Sequence, residues 1–391
     1  MKNYLLYSTL IAIFTESLYI EVGFDFKLIY IIVFINYFVI QFARKKITIP
    51  KYWLYSLIYI ALTGVLTIFL YQNQLSGIAF QVFGISFMSI YFYNFFLCYD
   101  FDVVEIFEKY CNICYIISLI GIPLFFICYA IDPIYRLHSV MQEPAHFAGI
   151  VLPAFYYYMI NYKKFKLKFF VVFGALLLSI SSIGYIGMLI GLIMIKRKVS
   201  VAVSGGLLVL AVIIGFLAYT FIDNVKSRAD DTITVINNMD ITGTNASTYA
   251  LAANAYVTTR VLGSNFLIGH GIGSHPISFR KYLYEITGIE SFEYDENLLF
   301  INSTDAASLA MRTLSELGII GLFGIIYFIV KNYAGTDNYI TISRAILIYF
   351  LYKLFREGHY FSPEMYFFVF AYYFVKIKSK RPINALQPEA N

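Results

Sequence analysis

The chain has 391 residues, of which 60% are hydrophobic and only 14% are charged. The mean hydropathy is +0.70 and the formal net charge is +5. Water-soluble domains of this size do not combine so high a hydrophobic fraction with so low a charged fraction. The composition therefore excludes a soluble enzyme and indicates a lipid bilayer as the solvent. The aromatic residues, 36 Tyr and 38 Phe against a single Trp, suit lipid-facing surfaces and membrane interfaces.

Ten apolar runs have about the length that a helix needs to cross roughly 30 Å of hydrocarbon. They are residues 4–20, 28–43, 52–71, 77–98, 111–130, 147–160, 199–222, 308–330, 340–356 and 363–376. The first run carries Glu16 and lacks a small-residue cleavage site, so we expect a retained helix rather than a signal peptide.

The region 169–195 is also apolar, but lysine clusters at 163–168 and 196–198 flank it on both sides. Positive charge favours the cytoplasmic side of a membrane. Two short segments that turn near 179–184 would keep both clusters inside. The sequence therefore predicts twelve membrane segments, with both termini in the cytoplasm of a multi-pass protein.

The predicted fold class is an all-α polytopic membrane protein with one long extracytoplasmic loop. Apolar runs within that loop, such as 249–262, predict short helices that lie over the membrane. The predicted order is membrane helices 1–5 in residues 1–130, an extracytoplasmic loop in 131–146, helices 6–9 in 147–222, the long periplasmic loop in 223–307, helices 10–12 in 308–376 and a cytoplasmic tail in 377–391.

The first external loop places Arg136, Glu143 and Pro144 directly before an apolar helix. Charges at such a boundary must pair, reach lipid headgroups or serve a site. In one interpretation Arg136 meets lipid phosphate and Glu143 caps the helix ahead of Pro144, which suits a helix start. In the other, both charged residues belong to a substrate site.

The long loop contains Arg260, followed after ten intervening residues by Gly271 in a glycine-punctuated stretch. Glycines there let the backbone turn tightly or approach a ligand closely. Arg312 and Glu316 stand at a spacing that allows an intrahelical ion pair. Arg312 is also a candidate for binding substrate, and further candidates predicted on the same external side are His275, Arg280, Arg356 and His359. The planar fork of arginine matches phosphate oxygens, so we expect an anionic lipid-linked substrate.

Three stretches of the chain resemble the O-antigen polymerase and ligase superfamily of bacterial surface-polysaccharide assembly, and most closely its Wzy-type polymerases. They are Arg136 with residues 142–149, Arg260 with residues 268–273, and residues 314–322. The resemblance covers about residues 130–376. It implies a fold like that of the class-C glycosyltransferases and location in the bacterial inner membrane.

The resemblance also implies an activity. A glycan on undecaprenyl diphosphate is transferred to a hydroxyl of another lipid-linked repeat unit, which builds O-antigen or a related surface polysaccharide. Arg260, and with it Arg136, would bind the diphosphate and stabilise the leaving group. The implied partners are undecaprenyl-diphosphate-linked oligosaccharides, membrane lipid and a chain-length regulator protein, and no nucleic acid is expected.

No cofactor is expected for this chemistry. Cys111 and Cys114 form a lone pair without the second pair or the histidines that a zinc site requires. Glu143 is the first candidate for the base that deprotonates the acceptor hydroxyl, because desolvation raises the basicity of a carboxylate. His359 and His275 are the next candidates.

Two alternatives stay open. The first is a ligase-type glycan transferase, although the ligase branch typically has a His-Asn pair where this chain has Ala307 and Ser308. The second is a twelve-helix transporter of polysaccharide precursors, which predicts charges at the membrane midplane and repeated halves.

Overall fold

The computed structural model describes residues 1–15, 17–21, 25–44, 46–98, 102–195, 220, 223–238, 240–292 and 295–380. Apart from Thr220, the predicted membrane segment 199–222 lies outside the described residues, as do Glu16, the lysine cluster at 196–198 and the tail from residue 381 onward.

The described residues form fifteen α-helices, two short 3-10 helices and one small hairpin. The α-helices are α1 Lys2–Ala12, α2 Leu28–Arg44, α3 Lys51–Tyr71, α4 Leu75–Cys98, α5 Val103–Ile131, α6 Pro144–Ile160, α7 Tyr162–Leu178, α8 Ser182–Met194, α9 Asp223–Asn238, α10 Ala246–Ser264, α11 His275–Tyr282, α12 Glu296–Leu299, α13 Leu309–Asn332, α14 Asp337–Phe355 and α15 Pro363–Lys380. The 3-10 helices are Leu283–Glu285 and Ile289–Phe292. The prediction of an all-α chain is confirmed apart from the hairpin.

Four of the described helices are long and apolar enough to cross a membrane: α3, α4, α5 and α13. They are 21, 24, 29 and 24 residues long. Helices α2 and α8 are also apolar but shorter. The chain therefore carries helices with the length and composition of membrane spans, as its hydropathy predicts.

The prediction of one helix over residues 4–20 is wrong. Helix α1 ends at Ala12, and the chain continues into strand β1 (Tyr19–Glu21), which pairs antiparallel with strand β2 (Asp25–Lys27). The Ser17 hydroxyl donates a hydrogen bond of 2.6 Å to the carbonyl of Val140, a residue of the distant 132–143 connection. This tertiary contact replaces the last turns of the predicted helix.

The predicted break inside 169–195 is confirmed. Helix α7 ends at Leu178 and α8 begins at Ser182, with Ile180 between them in the left-handed region at φ +46°. The Ser181 hydroxyl accepts a hydrogen bond from the backbone N–H of Gly184 and so caps α8.

Helices α4 to α8 and α13 to α15 form one bundle around a core of buried aromatic and aliphatic side chains. The closest packing is between α6 and α14, where the Tyr352 ring lies directly against Gly149. A second, smaller core lies in the 240–300 region, where Tyr249 and Val257 of α10 pack with Phe279 and Leu283. The long predicted loop is therefore a folded helical layer, and it contacts the bundle mainly through α10 and α13.

Candidate functional site

Helix α13 is broken at Gly318, and the glycine-rich loop 266–271 fills the break. Gly318 has φ +63°, so the carbonyls before it and the N–H groups after it lose their helical partners. The N–H groups of His270 and Gly271 donate to the carbonyls of Ser315 and Glu316, at 2.9 and 2.8 Å. In return, the N–H of Ile319 donates to the Phe266 carbonyl at 3.0 Å. The loop thus satisfies backbone groups that the break exposes.

The glycines of this loop serve close packing against protein. Gly269 and Gly271 both have positive φ, +62° and +92°. A Cβ on Gly269 would collide with the carbonyl of Ser315, and one on Gly271 would collide with the Thr67 side chain of α3. Sequence reasoning predicted that Gly271 approaches a ligand, and that role stays a prediction; the structure gives it a packing role.

Arg312 and Glu316 form the intrahelical ion pair that their spacing predicts, with 3.3 Å between Nε and Oε1. Both side chains are buried. Arg312 Nη1 also donates to the carbonyl of Gly358 at 3.0 Å, and its guanidinium lies over the Tyr360 ring at 4.5 Å. These contacts tie the start of α13 to the connection between α14 and α15.

His275 is a fully buried, neutral histidine at the start of α11. Its Nε2 lies 2.8 Å from Asn254 Oδ1, and its Nδ1 lies 2.9 Å from the Ser315 hydroxyl. The Asn254 amide nitrogen donates to the Ala250 carbonyl, so its oxygen faces the histidine and the Nε2–H is the donor. Burial, helped by the nearby positive charge of Arg312, lowers the pKa of His275 to about 3. His275 therefore joins α10, α11 and α13 and is not exposed to substrate.

His359 lies in the connection between α14 and α15, beside Asp305. Its Nε2 is 3.7 Å from Asp305 Oδ2, a distance for electrostatic contact rather than a hydrogen bond. Asp305 is itself held by the N–H of Ala307 at 3.1 Å and the amide of Asn302 at 3.2 Å. Desolvation lowers the pKa of His359, although Asp305 opposes this shift. The shift favours the uncharged imidazole, which can accept a proton.

The backbone around this pair adopts uncommon conformations. Ala306, Ala307 and Glu357 all have positive φ, between +57° and +69°. The Glu357 N–H donates to the Ala307 carbonyl at 2.9 Å, and Gly358 packs against the Asp305 carbonyl so closely that no side chain would fit. Non-glycine residues in this region persist only where the surrounding structure holds them, and they cluster at functional sites.

A small pocket of about 40 Å³ opens beside His359. Its polar lining residues are Lys27, His146, Glu357, His359, Ser362 and Glu364. His359 lines this pocket, and half of its side chain is accessible to solvent. Buried Lys353 lies behind the pocket and pairs with Glu357 at 2.5 Å and Glu364 at 3.2 Å. The pocket has room for a few water molecules or for a hydroxyl group that enters from solvent.

Arg260 lies on α10, away from these contacts. It forms a 2.6 Å ion pair with Glu285 and lies over the Tyr282 ring, yet half of its side chain, 51%, is exposed. Hydrogen bonding to Glu285 raises the pKa of the guanidinium above its usual value. Arg280 is exposed in the last turn of α11, and Arg356 is the partly buried C-cap residue that follows α14.

Arg136 and Glu143 lie in the connection between α5 and α6. Arg136 is partly buried and Glu143 is exposed. Glu143 occupies the N-cap position of α6 with Pro144 in the first turn, as predicted, but its side chain makes no capping hydrogen bond. The capping interpretation of Glu143 therefore rests on its backbone alone.

Sequence reasoning missed several residues of this region. Lys353 and Glu364 carried a usable signal, because charged residues inside apolar helices usually pair or serve a function. Asp305 and Asn254 carried none, since only the fold brings them to His359 and His275.

Among the described residues, no group of three or more histidine, cysteine, aspartate or glutamate side chains is placed to hold a metal ion. Comparison of the chain with protein-family models, with curated proteins and with solved structures finds no match.

Proposed function

We propose that this chain is a membrane glycosyltransferase that polymerises undecaprenyl-diphosphate-linked repeat units into O-antigen or a related surface polysaccharide. In this proposal the chain has about twelve membrane segments, both termini in the cytoplasm, and the helical layer of residues 223–307 on the periplasmic side. The observation that carries the proposal is the pairing of His359, which lines the pocket, with buried Asp305 at the end of that layer.

The reaction needs a base for the acceptor hydroxyl. His359 Nδ1 takes that proton while Nε2 faces Asp305, whose negative charge stabilises the imidazolium that forms. The acceptor oxygen forms a bond to the anomeric carbon of the donor sugar. The bond between that carbon and the diphosphate oxygen breaks, and the lipid diphosphate leaves with the electron pair. The geometry favours His359 over Glu143, because His359 lines the pocket beside Asp305 and Glu143 does not line it.

Arg260 supplies the charge that the leaving diphosphate requires. Exposed ion pairs such as Arg260 with Glu285 contribute only about 0–1 kcal/mol, so a diphosphate with several charged oxygens can displace Glu285. Arg260 lies six residues, about 9 Å along α10, from Asn254. Asn254 contacts His275, which contacts α13, and Arg312 of α13 contacts Gly358 next to His359. This chain of contacts fixes the helix of Arg260 relative to the pocket.

The surface glycan of a deletion strain tests the proposal. We expect a single repeat unit on the surface where the complemented strain shows a ladder. An unchanged ladder would remove the polymerase proposal. Loss of all surface glycan, with accumulation of lipid-linked precursor inside the cell, would favour a transporter, and accumulation of finished polymer on the lipid carrier would favour a ligase. Because no metal is proposed, polymerisation in isolated membranes should survive EDTA.

A further inference from the structure

A second, much larger cavity lies along the membrane helices. It has a volume of about 750 Å³ and runs along α13, with further walls from α3, α14 and α15. The lining positions on α13 extend from Leu309 to Asn332. From Ile320 to Lys331, beyond the break at Gly318, the helix rises about 16 Å, which matches the roughly 15 Å of hydrocarbon in one leaflet. The cavity therefore has the shape of a groove for a long chain.

The wall of this cavity leaves room that protein does not fill. A Cβ atom added to Gly324, which lines the cavity, would meet no other atom within 4 Å. Two polar atoms of the lining, Trp53 Nε1 and the Tyr59 hydroxyl, are shielded from solvent and make no hydrogen bond within the described part of the chain. Buried donors of this kind normally have a partner. An occupant with hydrogen-bond acceptors would supply one.

The two ends of the cavity differ in charge. At one end the lining includes Lys331, Lys376 and Lys380, and none of these pairs with a carboxylate among the described residues. Lys331 lies over the rings of Tyr52 and Tyr327, at 5.9 and 5.1 Å. At the other end, by contrast, the cation Lys353 is neutralised by two glutamates. Free positive charge is therefore present at the lysine end, and an anionic headgroup fits there.

We propose that this cavity binds an anionic glycerophospholipid from the leaflet at the lysine end. The headgroup phosphate contacts Lys331 and Lys380, and an ester carbonyl accepts the hydrogen bond that Trp53 Nε1 donates. An acyl chain then runs along α13 past Gly324. The site is separate from the pocket of His359, and the inference does not depend on the proposed transferase activity.

The test measures lipid binding to the purified full-length protein by native mass spectrometry and by the shift in melting temperature. Diacyl phosphatidylglycerol, its diether analogue, diacyl phosphatidylcholine and undecaprenyl phosphate serve as probes. The charge variant is Lys331→Gln with Lys380→Gln, and the donor variant is Trp53→Phe. Gly324→Leu fills the groove. Gly174→Leu is its matched control, because Gly174 also lies in an apolar helix, has open space at its Cβ and lies outside the cavity lining.

We expect the wild type to bind phosphatidylglycerol at least tenfold more tightly than phosphatidylcholine, and the charge variant to lose this preference, since each lysine near a headgroup contributes about 1 kcal/mol. Trp53→Phe should remove the preference for ester over ether lipid. Gly324→Leu should reduce binding of all diacyl lipids at least tenfold, and Gly174→Leu should not.

Two results would overturn the inference. One is unchanged phosphatidylglycerol binding in Gly324→Leu. The other is a preference for undecaprenyl phosphate that the charge variant retains, because the headgroup would then lie at the other end of the cavity.

Discussion

The backbone N–H of Gly271 donates a 2.8 Å hydrogen bond to the carbonyl oxygen of Glu316. This bond joins two stretches that the sequence marks separately, the glycine-rich stretch after Arg260 and the helix that follows the long loop. In the fold they are one unit, because the loop supplies the backbone partners that the break at Gly318 removes from α13. A break of this kind is stable in a bilayer only when protein satisfies the exposed backbone groups.

The first prediction concerns that break. Gly318→Ala places a Cβ against the Leu267 carbonyl at a backbone conformation that disfavours L residues. We expect a loss of stability of at least about 1–2 kcal/mol, measured as a lower melting temperature of the purified protein. Gly174→Ala is the control, because a Cβ there meets nothing within 4 Å. Equal melting temperatures for the two variants would contradict the described packing.

The second prediction concerns acid stability. The pKa of His275 is about 3 in the fold and about 6.5 in the unfolded chain, so between these values only the unfolded chain binds the proton. Stability is therefore fully present above pH 6.5 and falls as the pH decreases. At pH 4.5 the loss from this group is about 2–3 kcal/mol. His275→Gln should flatten the melting temperature between pH 7.5 and 4.5 relative to wild type; an identical pH dependence in both proteins would show that His275 is not buried and neutral.

The third prediction separates the two candidate bases. His359→Gln should keep the protein in the membrane and reduce polymerisation by about 10²–10⁴-fold, as expected for a positioned base. Asp305→Asn removes the charge that raises the pKa of His359, so the acid limb of the activity profile should move to lower pH. Glu143→Gln should leave activity near normal, because Glu143 does not line the pocket. The reverse pattern would assign the base to Glu143.

The fourth prediction tests Arg260. Arg260→Ala should abolish polymer at normal protein abundance, and Arg260→Lys should stay badly impaired because a point charge lacks the planar fork. Glu285→Gln is the informative control. If Arg260 serves only its ion pair with Glu285, then Glu285→Gln reproduces the defect, whereas a diphosphate-binding Arg260 leaves this variant active. Glycan ladders and immunoblots of the same cells provide both measurements.

The fifth prediction concerns topology. Gly263 is exposed near the end of α10, and a side chain there meets nothing within 4 Å, so Gly263→Cys should not disturb the fold. We expect this cysteine to react with a membrane-impermeant maleimide in cells whose outer membrane is permeabilised and whose inner membrane is intact. Cys98, Cys111 and Cys114 are buried, and Cys128, which is partly exposed near the end of α5, is replaced by serine in the parent protein to remove its background. Labelling only after lysis would place the 223–307 layer in the cytoplasm.

The sequence by itself determined the chemical nature of the chain. Apolar runs long enough to cross a bilayer predict α3, α4, α5 and α13, because hydrocarbon leaves the backbone no partner other than its own helix. The spacing of Arg312 and Glu316, one helical turn apart, was also sufficient to predict their ion pair. The positive charges that flank 169–195 were sufficient to predict the break before α8.

Only the tertiary structure decided what these residues contact. Helix α1 stops at Ala12 because distant groups bind the segment that follows it. Asp305 reaches His359, and Gly358 reaches Arg312, through connections whose backbone conformations no local pattern encodes. Such contacts join residues far apart in the chain, and their free energy comes from packing and charge pairing that exist only once the helices have assembled.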